Sequence, residues 1–131
     1  KWLSQITGKV FDLPSSDEWD MSAGSRLYPW GNIWDTKKCN SRESRIHDTT
    51  AVGSNSPSGD SPFGCGDMLG NVWEWTIDVD SQSREGVMAV IRGGSYLNNG
   101  KMGHRKLKNI SLRYLGYDYI GFRVILRDPI E

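Results

Sequence analysis

Asp67 and Glu74 are the two acids of the run FGCGDMLGNVWEWT, and Gly70 lies between them to free the backbone. Two carboxylates around a flexible turn offer the hard oxygen donors that calcium prefers. Trp73 and Trp75 lie two apart and would share one face of an extended segment, the usual setting of a core tryptophan pair, so Glu74 would point the other way. Other reactive side chains are few: His47, His104, Cys39 and Cys65 complete the set of histidines and cysteines. The cysteines are too far apart for a CxxC redox or zinc motif. Oxidised, they would close a loop contributing about 3 to 4 kcal/mol; reduced, they would be two partly buried thiols. Ser95, His104 and Asp118 compose a Ser-His-Asp set on paper, but such triads are defined by geometry and spacing does not single this one out. GCGDMLG is not a nucleotide fingerprint, because its third glycine comes one place late and WEW follows where a helix is required.

A second kind of chemistry is offered by YLGYDY, Tyr114 to Tyr119. Tyrosines give rigid amphipathic contact area, and small polar residues adapt around them, as in antibody loops. The same letters also suit a strand with alternate side chains buried.

The elements that must position these residues are legible in part. A chain of 131 residues is the size of one domain, residues 1–131, able to bury a single core. Zero net charge and 37% hydrophobic residues exclude general disorder and long-range attraction to nucleic acid. The charge is unevenly placed: from Gly86 to Tyr117 there is no acid, while Arg92, Lys101, Arg105, Lys106, Lys108 and Arg113 are basic. Without interleaved aromatics this reads as a solvated face, not a nucleic-acid site. No run approaches the roughly 18 apolar residues of a membrane span and no signal-peptide pattern opens the chain, so a soluble domain without membrane insertion is expected. KWLSQITGK reads as the last turns of a helix closed by Gly8. VFDLP reads as a short strand, and Ser15 with Glu18 signals a helix that Gly24 ends. Residues 25–63 show no apolar period, and a loop of that length must be tied down by ligands, a metal or buried tryptophans. VMAVIRGG and GFRVIL are the two convincing strands.

LPSSDEW, YPWGN, AVGSNSP, FGCGDMLGNVWEWT, IRGGSY and GFRV follow one another with variable spacers. That series resembles the formylglycine-generating enzyme, or sulfatase-modifying factor, family from about Val10 to Leu126. The resemblance implies an α+β C-type lectin fold, loop-rich with few helices, here without the family's N-terminal third. It also implies a structural calcium ion held by the side chains of Asp67 and Glu74 and the carbonyls of Gly70 and Val72. A second family calcium site would begin at Asn40, but its acidic position reads Ser44.

Active members hold copper(I) through two cysteines five residues apart after the GGSY segment. Those positions read Asn98 and Gly103 here, and neither supplies the thiolate a soft cuprous ion needs. No copper and no catalysis are therefore expected. The alternative is part of a formylglycine-generating or sulfoxide-synthase-like oxidase whose metal ligands lie outside this chain. The bracketing RGGS and GFR strands also resemble variable proteins of diversity-generating retroelements, which bind ligands or receptors. Adenine-directed change of an AAY codon yields Tyr, Leu, Gly, Asp, His or Ser, but not Lys, Met or Trp. Leu97 to Gly100 and Tyr114 to Tyr119 obey that rule, whereas Lys101, Met102, Lys106 and Lys108 would be fixed framework. The implied contact residues are Tyr96, Leu97, Asn98, Asn99, His104, Tyr114, Leu115, Tyr117, Asp118 and Tyr119. The implied partner is a protein or cell-surface ligand, met at a virion or cell surface. YLGYDY is thus expected to be a contact surface displayed as irregular structure between framework strands.

Overall fold

The computed structural model describes residues 1–127; residues 128–131 of the expected domain lie outside the described residues. In chain order its elements are α1 (Trp2–Thr7), β1 (Val10–Asp12), α2 (Ser16–Ala23), β2 (Trp73–Val79), β3 (Met88–Arg92), β4 (Lys108–Leu112), β5 (Ile120–Gly121) and β6 (Ile125–Arg127). Short 3₁₀ turns lie at Thr36–Lys38, Arg42–Ser44, Arg84–Gly86 and Gly100–Met102. β1 and β6 form an antiparallel pair, and the other strands form a sheet in the order β4-β3-β2-β5. β5 runs parallel to β2, while the other neighbours are antiparallel. The α+β, loop-rich architecture agrees with the sequence reading.

Local signals explain both helices. Gly8 closes α1 in the left-handed region at φ 70°, its N–H donating to the Ser4 carbonyl. Ser15 caps α2: its hydroxyl accepts the Glu18 N–H at 3.0 Å, and Glu18 Oε2 accepts the Ser15 N–H at 2.7 Å. The helix buries Trp19 and Ala23 against Met68, with Cys65 beside them.

The main core joins Tyr28, Cys39, Leu69, Trp73, Ile91 and Leu107. Trp30, Trp34 and Trp75 pack against it, so tryptophans do tie down the irregular stretch. Asn40 fastens that stretch further, since its carbonyl accepts the Asn71 N–H at 2.7 Å and its amide donates to the Asp48 carbonyl at 2.8 Å. Gly70, at φ 79°, lets the two segments meet, because a Cβ there would collide with the Asn40 carbonyl.

Two expectations change. GFRVIL is not one strand: it divides into β5 and β6, which belong to different sheets, and Phe122 to Val124 step between them. The segment between Tyr96 and Tyr119 is not wholly irregular, because β4 pairs with β3 from Arg92↔Lys108 to Met88↔Leu112. β4 is an edge strand with mostly exposed side chains, so it lacks the buried alternation that marks a strand in sequence. Both cysteines are free thiols. Burial pushes Cys39 up to about 12, which keeps it protonated and unreactive at neutral pH.

Candidate functional site

The strand alternation of β2 sends Trp73 and Trp75 toward the main core and Glu74 to the opposite face, where it is only 6% exposed. There its carboxylate is met from two sides. Trp19 Nε1 of α2 donates to Oε2 at 2.7 Å. Arg123 donates through Nε to Oε2 at 2.6 Å and through Nη2 to Oε1 at 2.7 Å, a fork-on-fork pair. Nη2 also reaches the carbonyls of Gly66 at 2.9 Å and Asp67 at 3.3 Å. Burial works against the charge on Arg123, but the hydrogen bonds and charge of Glu74 outweigh it and hold the guanidinium above its ordinary value.

Arg123 is a site residue that the sequence reading did not single out. Its sequence signal is the GFR motif, but nothing in a linear sequence pairs it with an acid forty-nine residues earlier.

Asp67, Val72, Glu74 and Arg123 line one cavity of about 310 Å³ with Val52 and Phe122. Three of the four expected calcium residues thus come together, and Gly70 lies between them in the chain. Asp67 Oδ2 accepts the Gly53 N–H at 2.9 Å, while Oδ1 is buried without a hydrogen-bond partner among the described residues. That orphaned oxygen is a donor a hard cation would take. Glu74 is less available, since both its oxygens already accept N–H donors. Two carboxylates beside one guanidinium leave a single net negative charge. Among the described residues no group of three His, Cys, Asp or Glu side chains could hold a metal. Among the described residues, Asp67 Oδ1 is thus the one unengaged side-chain oxygen that the expected calcium residues offer.

Arg92, cross-strand neighbour of Glu74, lies over the Trp19 ring with its guanidinium 5.0 Å from the centroid. Its Nη1 donates to Ser16 Oγ at 2.9 Å and its Nη2 to Asp20 Oδ1 at 2.7 Å. Arg92 therefore belongs to the buried scaffold and not to a basic surface.

The expected contact residues separate by environment. Leu97, Tyr114, Leu115 and Asp118 are exposed; Tyr96, Asn98, Asn99, Tyr117 and Tyr119 are half-buried. Asn98 Oδ1 accepts from the N–H and hydroxyl of Ser95 at 2.9 and 3.0 Å, and Asn99 Oδ1 accepts the Lys101 N–H at 3.1 Å. Those amides shape the turn before Gly103. His104 is corrected: it is fully buried, with Nε2 2.9 Å from the Gly24 carbonyl, and has no surface to offer a ligand. Its Nδ1 has no partner among the described residues and its bonded nitrogen faces a backbone oxygen, so neither Ser95 nor Asp118 forms a triad with it. Burial lowers its pKa, only partly opposed by the Gly24 carbonyl, so the ring is neutral at pH 7.

YLGYDY is a loop between β4 and β5, not a buried strand. It runs from solvent to core: Tyr114 is 77% exposed, Tyr117 stacks on Tyr119 at 5.1 Å, and Tyr119 packs on the main core. The Tyr119 carbonyl accepts the Trp73 N–H at 2.8 Å, which fixes the end of the loop to β2.

A mixed sheet with two helices and a long surface segment held between framework strands defines a C-type lectin-like domain. Residues 1–128 match the sulfatase-modifying factor enzyme 1-like domain, and the chain belongs to that family. It is 34% identical over 109 residues to inactive C-alpha-formylglycine-generating enzyme 2 of Bos taurus, covering 71% of this chain and 35% of that one. It is 30% identical over 118 residues to the formylglycine-generating enzyme of Thermomonospora curvata, covering 65% of this chain and 38% of that one. Among solved structures, PvdO from Pseudomonas aeruginosa superposes with a TM-score of 0.76 at 27% identity, covering 94% of this chain and 55% of that one. Treponema denticola variable protein 1 shares the fold with a TM-score of 0.73 at 21% identity, covering 88% and 47%. The chain spans about a third of these curated relatives and half of these structures. Among the described residues no helix is long and apolar enough to cross a membrane.

Proposed function

We propose that this domain binds a protein or cell-surface ligand without catalysing a reaction, through the surface between Tyr96 and Tyr119, and that a diversity-generating retroelement varies that surface. The observation that carries the reading is the placement of YLGYDY: exposed side chains at Tyr114, Leu115 and Asp118 ride on a loop anchored by β4 and β5. A rigid frame with a tyrosine-rich loop is the arrangement recognition surfaces use. His104 is left out of the contact set, and Asn98 and Asn99 act mainly through backbone shape.

The absence of catalysis is supported by Asn98 and Gly103 at the positions where active family members carry cysteines. Gly103 stands at φ 83°, and a Cβ there would lie 2.6 Å from the Leu27 carbonyl, so a cysteine would be strained even if restored. Calcium enters the proposal as a structural ion held by Asp67 and Glu74 with the carbonyls of Gly70 and Val72. It would neutralise the orphaned Asp67 oxygen and brace the turn before β2.

A library varied at Leu97, Tyr114, Leu115, Tyr117 and Asp118, displayed and selected against a panel of proteins, tests the reading. Folded members that yield target-specific binders are expected. Loss of folding across the library, or no binder to any target, would contradict it.

A further inference from the structure

Among the described residues no strand pairs with the outer edge of β4, which ends the order β4-β3-β2-β5. Its ladder phase is fixed at both ends: Gly93 N–H donates to the Leu107 carbonyl and Arg113 N–H to the Val87 carbonyl, each at 2.9 Å. With the register Arg92↔Lys108 to Met88↔Leu112, the backbones of Asn109 and Ser111 face β3, and those of Lys108, Ile110 and Leu112 face outward. Among the described residues the Ile110 N–H is met by Asn109 Oδ1 at 2.9 Å, a local and replaceable partner. Ile110 and Leu112 are 42% and 38% exposed and share a face with half-buried Met88 and Val90.

Charge selects what can join this edge. Lys106, Lys108 and Arg113 are exposed around it, no acid occurs from Gly86 to Tyr117, and neither lysine has an ion-pair partner among the described residues. A second copy would set these cations against their own kind, whereas an acidic strand would be attracted.

We propose that the β4 edge docks an extended acidic segment of a partner protein, which adds to the sheet as a fifth strand with apolar residues at alternate positions facing Ile110 and Leu112. Backbone pairing gives the affinity and the lysines give the charge preference. The site adjoins the tyrosine loop, whose Leu115 N–H donates to the Leu112 carbonyl at 3.4 Å, but it uses the backbone from Lys108 to the Leu112 N–H and none of the loop's side chains.

The test uses the whole chain and a capped seven-residue peptide, with glutamates at both ends and valine alternating with threonine between them. The peptide should slow amide exchange at Ile110 and Leu112. Its copy N-methylated at all five internal residues should not. The Lys106→Glu/Lys108→Glu variant, with an unchanged melting temperature, should bind about tenfold more weakly or worse, as reversal of attractive charges requires. Tyr117→Ser should bind the peptide normally, which keeps failure of this site distinct from failure of the tyrosine loop. Equal binding of the N-methylated peptide, or no protection of Ile110 at millimolar peptide, would overturn the proposal. Self-association that protects Ile110 without peptide would overturn it in favour of a second copy.

Discussion

Replacing Glu74 by alanine removes one carboxylate that serves two buried donors. Arg123 loses both of its charged hydrogen bonds to Glu74, and its side chain is 26% exposed, so solvent can reach it only in part. Stranding a buried charge in this way costs about 3 to 5 kcal/mol. The Trp19 N–H also loses its acceptor, a loss of about 1 to 3 kcal/mol when a buried donor is left unmet. Both losses come from one group and do not add in full, so about 4 to 5 kcal/mol is expected. Domains of this kind have roughly 5 to 15 kcal/mol in total, which brings the variant near its folding limit. Glu74→Gln/Arg123→Met should recover at least about 2 kcal/mol over Glu74→Ala, because an uncharged replacement of the whole pair leaves no stranded charge and the amide oxygen still accepts the Trp19 N–H. Urea titration followed by tryptophan fluorescence measures both. A Glu74→Ala variant within about 1 kcal/mol of the parent, or a double variant no better than the single, would refute the reasoning.

Calcium at about a hundredfold over its dissociation constant should stabilise the parent by about 2 to 3 kcal/mol, and Asp67→Asn should abolish that gain. A melting temperature indifferent to calcium and to chelator would remove the ion from the account. Burial lowers the folded-state pKa of His104, so as pH falls through about 6.5 the unfolded chain takes up the proton first and stability declines. His104→Gln should flatten that decline below about pH 6.5, read from urea midpoints; an equal slope in both proteins would refute it. Tyr114→Ser should change stability by less than about 0.5 kcal/mol, as at other exposed positions, whereas Tyr119→Ser should cost about 1 to 3 kcal/mol because it packs on the core. Equal losses at the two positions would contradict the solvent-to-core gradient of the loop.

Local signals were the legible ones. The Ser15–Glu18 capping box, the Gly8 and Gly24 stops and the β2 alternation of tryptophan with glutamate each depend on a few adjacent residues and appear where expected. What the sequence did not reveal depends on partners far along the chain. Glu74 looked like a metal ligand because its neighbours are visible in the sequence, while Arg123 arrives only through the step from β5 to β6. His104 looked like a contact residue because it lies between the RGGS and GFR motifs and is a type that an AAY codon can become, yet folding places it against Gly24 and Trp19. β4 escaped notice because an exposed edge strand needs no buried alternation. The sulfatase-modifying factor motifs were more informative than composition because they mark long-range framework joints.

The central claim is that the surface between Tyr96 and Tyr119 is varied for recognition on a fixed frame. Sequencing this gene with its flanking DNA from many isolates tests it most directly. The account predicts a nearby reverse transcriptase and a second copy of the segment from about Arg92 to Arg123, with differences falling where that copy has adenine. Variation should concentrate at Tyr96 to Gly100 and Tyr114 to Tyr119, leaving Arg92, Lys101, Lys106, Lys108 and Arg123 unchanged. A locus without the repeat, or substitutions spread evenly over frame and loop, would contradict it.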